Sequence, residues 1–452
     1  MQKKIIVIGG GPAGIEAAKQ AAMAGGAVTL ISNSPIGGRA GWHSLLPSKV
    51  WLAAADALGF MQEVATLGVT ANTAVSDTDA ILNRIQQVAT QWNTNQLAQL
   101  QQLGVHIKTG TASFIDKNEI AITFEDTSVE KVRGDAIIIA SGSVPIFPSQ
   151  MKPDGKTIIA PRFAKALQTL PKSIVVVGGG VTGTEFAYLF QRMGVQVKWI
   201  VDQYGVLPSF ASEVGEALST VLVKQGIELI IGQSATQIEK QESGVQVALD
   251  DGQVIAAEMA FLAIGRKPDL SGLNLEALDV DPTDAPALLD EYGRLPNANI
   301  YIIGDASGGP MVVNRAMAQA RVASLHALQP EKTRPFQPQT VIITTYTSPQ
   351  AAQVGDLSIN AQHKTAHLAY HNTLKPVLVA EEDGFITLIY HQKEKTILGA
   401  YAVGAHAADL LAPIAIAIQQ QVTLDDLASI YPAHPTLSEL VFAAARQHKP
   451  GD

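Results

Sequence analysis

The chain of 452 residues is 47% hydrophobic and 16% charged, a globular composition longer than one hydrophobic core usually supports, so two or three domains are expected. A formal net charge of −9, with no basic cluster to override it, excludes nucleic acid as a partner, and no apolar run reaches the length of a bilayer span. Cysteine is absent, which removes disulfides, thiolate nucleophiles, iron–sulfur ligation and cysteine zinc sites together.

A β-branched strand at 5–8 follows Lys3-Lys4 directly and leaves no room for a targeting peptide, so a cytoplasmic protein is the default expectation. The strand runs into Gly9-Gly-Gly-Pro-Ala-Gly14, an alanine-rich helix to residue 24 and a second strand at 27–32. Helical patterning at 77–103 leads to strands near 105–108 and 119–124, and a third apolar strand at 136–140 ends in Ser141-Gly142-Ser143. The opening grammar then returns: a strand from Ser173, the turn Gly178-Gly-Gly-Val-Thr-Gly183, a helix to residue 193 and a strand at 196–201. A Pro- and Gln-rich linker is expected at 333–339. From residue 341 the texture becomes α+β, with strands at 385–390 and 397–403 and helices at 407–421 and 437–446.

Strand, glycine turn, helix and strand within about 30 residues is the βαβ unit of a doubly wound sheet. In G-x-G-x-x-G the first glycine makes the tight turn, the second admits a pyrophosphate to the backbone, and the third packs helix on strand. Gly9, Gly11 and Gly14 fit, as do Gly178, Gly180 and Gly183. Each helix N-terminus then offers unpaired N–H groups and positive dipole to the phosphates. Two such units make dinucleotide binding the expectation where one would be weak evidence. The pattern also calls for an acidic residue at the end of each second strand to hold the adenosine ribose. Ser32 stands there in the first unit and Val201, followed by Asp202, in the second; Ser32, Asn33 or Ser34 can still meet a ribose hydroxyl, as can Asp202 if the strand ends one residue later. No arginine pair is present to meet a 2′-phosphate, so NADH is preferred over NADPH.

With these residues the chain resembles the pyridine nucleotide-disulfide oxidoreductase family, the group of dihydrolipoamide dehydrogenase, glutathione reductase and mercuric reductase. Further matches are Ala140-Ser-Gly-Ser-Val-Pro145, Ala263-Ile-Gly-Arg-Lys-Pro268, Ile303-Gly-Asp-Ala306 with Gly309-Pro-Met311, Tyr346-Thr-Ser-Pro349, Gly399-Ala-Tyr-Ala-Val-Gly404 and His434-Pro-Thr-Leu-Ser-Glu439. The resemblance implies an α/β fold with two doubly wound, Rossmann-like dinucleotide-binding domains and a C-terminal α+β dimerisation domain. FAD would be held by 1–150 with 271–332, NAD(P)H by 151–270, and a homodimer would form through 340–452. It puts Asp305 on the ribityl chain of FAD and adds Gly38, Ala112, Ser141, Gly142 and Gly265 to the cofactor-binding set. Lys49, in Pro47-Ser-Lys49, matches the lysine beside flavin N5, and Glu185 its ion-pair partner at the nicotinamide. Without the motifs these two would read as ordinary surface charges.

The family's redox centre is a cysteine pair, and this chain reads Gly37-Gly-Arg-Ala-Gly-Trp-His-Ser-Leu-Leu-Pro-Ser-Lys49, with Ala40 and Leu45 at the cysteine positions. Neither can form a mixed disulfide or a charge-transfer thiolate, so disulfide substrates fall away by the family mechanism. His434 and Glu439 match the family's acid/base pair. They read either as a proton donor, with its orienting carboxylate, for a different acceptor, or as interface packing. Arg39, Ala40, Trp42, His43 and Leu45 form the candidate acceptor pocket. Trp42 reads as a stacking surface or as cavity filling, and His43 as a proton donor or as a satisfied histidine.

The expected function is an FAD-dependent NAD(P)H:acceptor oxidoreductase that reduces a small non-disulfide compound, a quinone first and dioxygen second. The alternatives are a non-catalytic flavoprotein keeping the fold as a binding component, and an enzyme that borrows an external thiol carrier. His363, His367 and His371 would share a metal on a helix, but the family match puts them on a strand, where residues four apart cannot share an ion, so no metal is expected. The apolar stretch 410–418 reads as a packed helix face rather than a membrane anchor.

Overall fold

The computed structural model describes residues 2–70 and 74–447; the end of the expected C-terminal domain, 448–452, lies outside them. The chain divides into two compact units: Met1–Ser48 with Leu82–Ile146 and Arg266–Phe336, and Lys49–Ile81 with Phe147–Gly265 and Gln337–Asp452.

In the first unit the apolar strand Lys4–Ile8 lies between its parallel partners Ala27–Ser32 and Ala136–Ile139, with His106–Thr109 and Ile300–Ile302 at the edges. Continuous apolar runs are what a sheet covered on both faces requires. One face packs on the helices Pro12–Met23 and Val313–Leu328 through Ile5, Val7, Ala17, Ala21, Ala320 and Ala323. The other packs through Ile6, Ile8, Ile137 and Ile139 on a three-stranded antiparallel sheet, Thr111–Asp116, Glu119–Thr123 and Val129–Arg133. Alanine on the first helix is the local reason that helix and sheet approach closely.

The second unit repeats the parallel design with Ser173–Val177 between Gln196–Val201 and Met259–Leu262. It also holds a three-stranded antiparallel sheet, Ala235–Gln241, Gly244–Leu249 and Val254–Ala257. Its C-terminal part is an antiparallel sheet in the order Ile343–Thr345, Gln350–Gly355, Ile397–Gly404, Phe385–His391, His363–Ala369. The core of that part joins Leu388, Ala400 and Ala402 to the helix residues Leu410, Ile414 and Val441.

One expectation is corrected. The helix predicted over 407–421 is two, Ala407–Leu410 and Ala412–Gln420, because Pro413 sits in the first turn of the second, where its missing N–H costs nothing but where no helix can run through it. The expected strand of histidines is present over His363–Ala369, with His371 in the 3-10 turn Tyr370–Asn372 beyond it. Among the described residues no group of three metal-capable side chains converges, and no helix is long and apolar enough to cross a membrane.

Candidate active site

The two glycine turns are built alike. Gly9 and Gly178 adopt φ of +113° and +117°, a region that carries a penalty for any residue with a Cβ. A Cβ on Gly14 would stand 1.8 Å from the carbonyl oxygen of Gly9, and one on Gly183 would stand 1.9 Å from that of Gly178, so each helix rests directly on the turn before it. The middle glycines differ in kind: a Cβ on Gly11 or Gly180 would meet nothing within 4 Å. Bare backbone facing open space, at the N-termini of the helices Pro12–Met23 and Val181–Arg192, is the shape a pyrophosphate needs. By this measure the residues fit a dinucleotide in each unit.

Around the first turn, Gly37 N–H donates to the Gly10 carbonyl at 2.8 Å, and a Cβ on Gly38 would stand 2.9 Å from Gly11 Cα. Asp305, in the short 3-10 turn Gly304–Ser307, accepts from the Ser143 hydroxyl at 2.5 Å, and Arg266 donates to that hydroxyl and to the Ser143 carbonyl, each at 2.8 Å. The Ser141 hydroxyl is buried and has no hydrogen-bond partner among the described residues, which suits a group awaiting a ligand. Gly142 has a positive φ of +78° and its carbonyl accepts from Asp269 N–H. Ala112 is buried in the core at 5% exposure.

The ribose positions are occupied differently from the dinucleotide pattern. Ser32 is buried, and its hydroxyl donates to the Ser34 carbonyl at 2.8 Å, closing the loop on itself. In the second unit the strand ends at Val201, which is fully buried, and Asp202 follows it in a turn with one carboxylate oxygen accepting from Tyr204 N–H at 3.1 Å. Gly265, at φ +118°, follows Ile264 in the loop after the strand Met259–Leu262.

Lys49 and Glu185 meet within the second unit. Lys49 Nζ lies 2.8 Å from both carboxylate oxygens of Glu185. It also sits 4.2 Å from the centroid of the Tyr346 ring, a cation–π contact, while Tyr346 N–H donates to Glu185 Oε1 at 3.0 Å. Glu185 is nearly buried, at 7% side-chain exposure against 30% for Lys49. Burial first, then the Glu185 charge, push the Tyr346 phenol above its usual range.

In the loop of the missing cysteines, Ala40 belongs to the short helix Gly38–Trp42 and Leu45 opens the helix Leu45–Glu63; both are half-buried. Trp42 donates its indole N–H to the Ile36 carbonyl at 2.8 Å, anchoring its own loop. Arg39 is paired with Asp269 at 2.5 Å and donates to the Ser141 carbonyl at 2.8 Å. His43 caps the short helix and its N–H donates to the Arg39 carbonyl. Beneath the loop lies Asn93, 4% exposed, so close to Gly37 that a Cβ there would stand 1.9 Å from Asn93 Oδ1. His434 Nδ1 lies 2.8 Å from Glu439 Oε1, and Thr436 N–H donates to the other oxygen. Burial works to raise the Glu439 carboxyl, but the bonds from His434 and Thr436 outweigh it and hold it below the ordinary range. His434 itself is 63% exposed.

Sequence reasoning missed Tyr346, Asn93 and Asp269 as neighbours of these residues. Tyr346 stands inside a matched motif; the other two carry no local signal.

Two glycine turns of one design, with a lysine–glutamate pair in the second unit and a histidine–glutamate pair near the chain's end, are the marks of a class of oxidoreductases in which flavin and nicotinamide cofactors are typical. The chain belongs to the pyridine nucleotide-disulphide oxidoreductase family, whose model matches residues 3–320, with the family's dimerisation domain matching 341–445. It is 30% identical to an NAD(P)H dehydrogenase (quinone) of Mycobacterium tuberculosis over 99% of this chain and 94% of that protein. It is 28% identical to dihydrolipoyl dehydrogenase 2 of Haloarcula marismortui over 98% and 96%. The crystal structure of LpdA from Mycobacterium tuberculosis superposes with a TM-score of 0.92 at 28% identity, covering 98% of this chain and 99% of that one.

Proposed function

We propose that the protein is an FAD-dependent NAD(P)H:acceptor oxidoreductase, with NADH preferred, that acts as a homodimer and reduces a small non-disulfide acceptor such as a quinone. One observation carries the reading: the chain contains no cysteine, and Ala40 and Leu45 stand at the dithiol positions, yet the Lys49–Glu185 pair is intact. A relative named NAD(P)H dehydrogenase (quinone) supports the choice of acceptor. Bound FAD supplies the two-electron chemistry that links NAD(P)H oxidation to acceptor reduction. Gly9, Gly11, Gly14, Ser141 and Asp305 hold that cofactor, and Gly178, Gly180, Gly183 and Asp202 hold the nicotinamide nucleotide. Lys49 carries a positive charge, oriented by Glu185, to the place where reduction builds negative charge. His434, held through Nδ1 by Glu439, keeps Nε2 for proton delivery to the acceptor.

The test is a panel of oxidants under NADH: quinones are turned over, while lipoamide and glutathione disulfide are not. Turnover of either disulfide without an added thiol carrier refutes the reading. A second reading, a flavoprotein that only binds, is favoured by the self-closed Ser32 hydroxyl and the buried Val201. Measured NADH affinity separates the two, since a module that keeps FAD alone binds none.

A further inference from the structure

The Lys49–Glu185 pair is the first rung of a ladder between two helices. Along Leu45–Glu63 the residues Lys49, Asp56 and Glu63 recur every seven positions, which keeps them on one face, since seven residues make almost two full helical turns. Along Val181–Arg192 the residues Glu185, Tyr188 and Arg192 recur at i, i+3 and i+7, again one face. They meet rung by rung. Lys49 bonds Glu185, the Tyr188 hydroxyl donates to Asp56 Oδ1 at 2.6 Å, and Arg192 Nη2 donates to Glu63 Oε1 at 2.9 Å.

The middle rung sets the phenol of Tyr188, inside the protein, against Asp56 on the exposed side of its helix. Tyr188 is fully buried, and burial first, then Asp56, push its phenol well above the ordinary range, so it is the donor. Burial also pushes the Asp56 carboxyl up, against the Tyr188 bond and the Arg192 charge. The third rung is lopsided: Arg192 is 7% exposed, but its partner Glu63 is 60% exposed, so solvent competes for that contact. Both rungs beyond the first join a buried residue to an exposed one, but Tyr188 and Asp56 are short, stiff side chains where Arg192 and Glu63 are long and rotamer-rich, so the middle rung is the tighter limit on how far the second helix slides or turns on the first. That position decides whether Lys49 Nζ keeps both Glu185 oxygens and the Tyr346 ring at once.

We propose that Asp56 and Tyr188 are positioning residues for Lys49, acting through the register of the two helices and never touching substrate. The proposal rests on the reading of Lys49 and Glu185 given above, and its consequence is that a hydroxyl one helical turn from Glu185 sets the rate at which NADH reduces the enzyme.

The readout that needs no turnover is amide exchange at Tyr346, whose N–H is bonded to Glu185. In Tyr188→Phe, exchange of the peptide around Tyr346 accelerates while the other sheet peptides keep their protection; uniform acceleration across the unit, or none, overturns the proposal. NADH-driven flavin reduction in the same holoenzyme falls about tenfold, the scale of one lost hydrogen bond to a charged group, with NADH affinity unchanged. Asp56→Asn, which keeps an acceptor oxygen for Tyr188, retains wild-type exchange and rate, whereas Asp56→Leu behaves as Tyr188→Phe. In a Lys49→Met background, Tyr188→Phe causes no further loss; full additivity overturns the proposal. If Lys49→Met alone leaves flavin reduction untouched, the reading of Lys49 fails, while the exchange experiment still reports on the ladder.

Discussion

Gly14→Ala and Gly183→Ala are the same perturbation applied to two sites, and they separate the two cofactors. A Cβ on Gly183 would lie 1.9 Å from the Gly178 oxygen, where carbon–oxygen contacts between backbone segments run at about 3.3 Å or more. Helix and turn must part by about 1.4 Å, an overpacking that costs about 1–3 kcal/mol of stability. The shift moves the N–H groups of the turn that face the pyrophosphate. Losing one hydrogen bond to a charged group, about 1.5–3 kcal/mol, corresponds to about a ten- to hundredfold rise in the NADH dissociation constant. Gly14→Ala, whose Cβ would lie 1.8 Å from the Gly9 oxygen, weakens FAD by a similar factor. The assay is FAD content after gel filtration together with NADH affinity of the FAD-loaded protein. The assignment predicts FAD retained and NADH weakened in Gly183→Ala, and FAD lost in Gly14→Ala. The reverse pattern, or wild-type NADH affinity in Gly183→Ala, refutes it.

Lys49→Met leaves the Glu185 carboxylate nearly buried, with Tyr346 N–H as its remaining donor among these contacts. It lowers unfolding free energy by about 3 kcal/mol in a denaturant titration. His326, 7% exposed and bonded to the Tyr301 hydroxyl, is held below its ordinary value of 6.5, by burial first and Arg294 second. The unfolded chain then takes up the proton more readily than the folded one, so stability is full above about pH 6.5 and declines as the pH falls below it. Thermal midpoints across that window show the decline in the wild type and a weaker one in His326→Phe. Arg39→Met removes a half-exposed ion pair and changes unfolding by less than about 1 kcal/mol, while KM rises more for a sulfonated quinone than for a neutral one. Saturating N-ethylmaleimide leaves NADH:quinone turnover unchanged, since the chain offers it no thiol.

The glycine turns were legible because their geometry is written in residue type: only glycine tolerates both the positive φ of Gly9 and the contact at Gly14. The apolar strands were legible because a doubly covered sheet demands unbroken runs such as 136–140. Pro413 is a visible stop inside 407–421, masked by the apolar, alanine-rich pattern that continues on either side of it. What stayed hidden depends on pairs far apart in the chain. Tyr188 and Asp56 are 132 positions apart and Arg39 and Asp269 are 230, and neither pair leaves a periodic trace. Lys49 and Glu185, 136 positions apart, are legible as a pair only through the family motifs that contain them. Ser32 could be read as a missing acid, but the bond that ties its hydroxyl to Ser34 is a property of the folded loop.

The central claim, that electrons enter from a nicotinamide and leave without sulfur, is tested most directly by adding NADH to the FAD-loaded protein under anaerobic conditions and then adding a quinone. The account predicts that the yellow flavin band disappears with NADH and returns with the quinone. A band untouched by NADH, or one that returns only when a thiol protein is supplied, contradicts it.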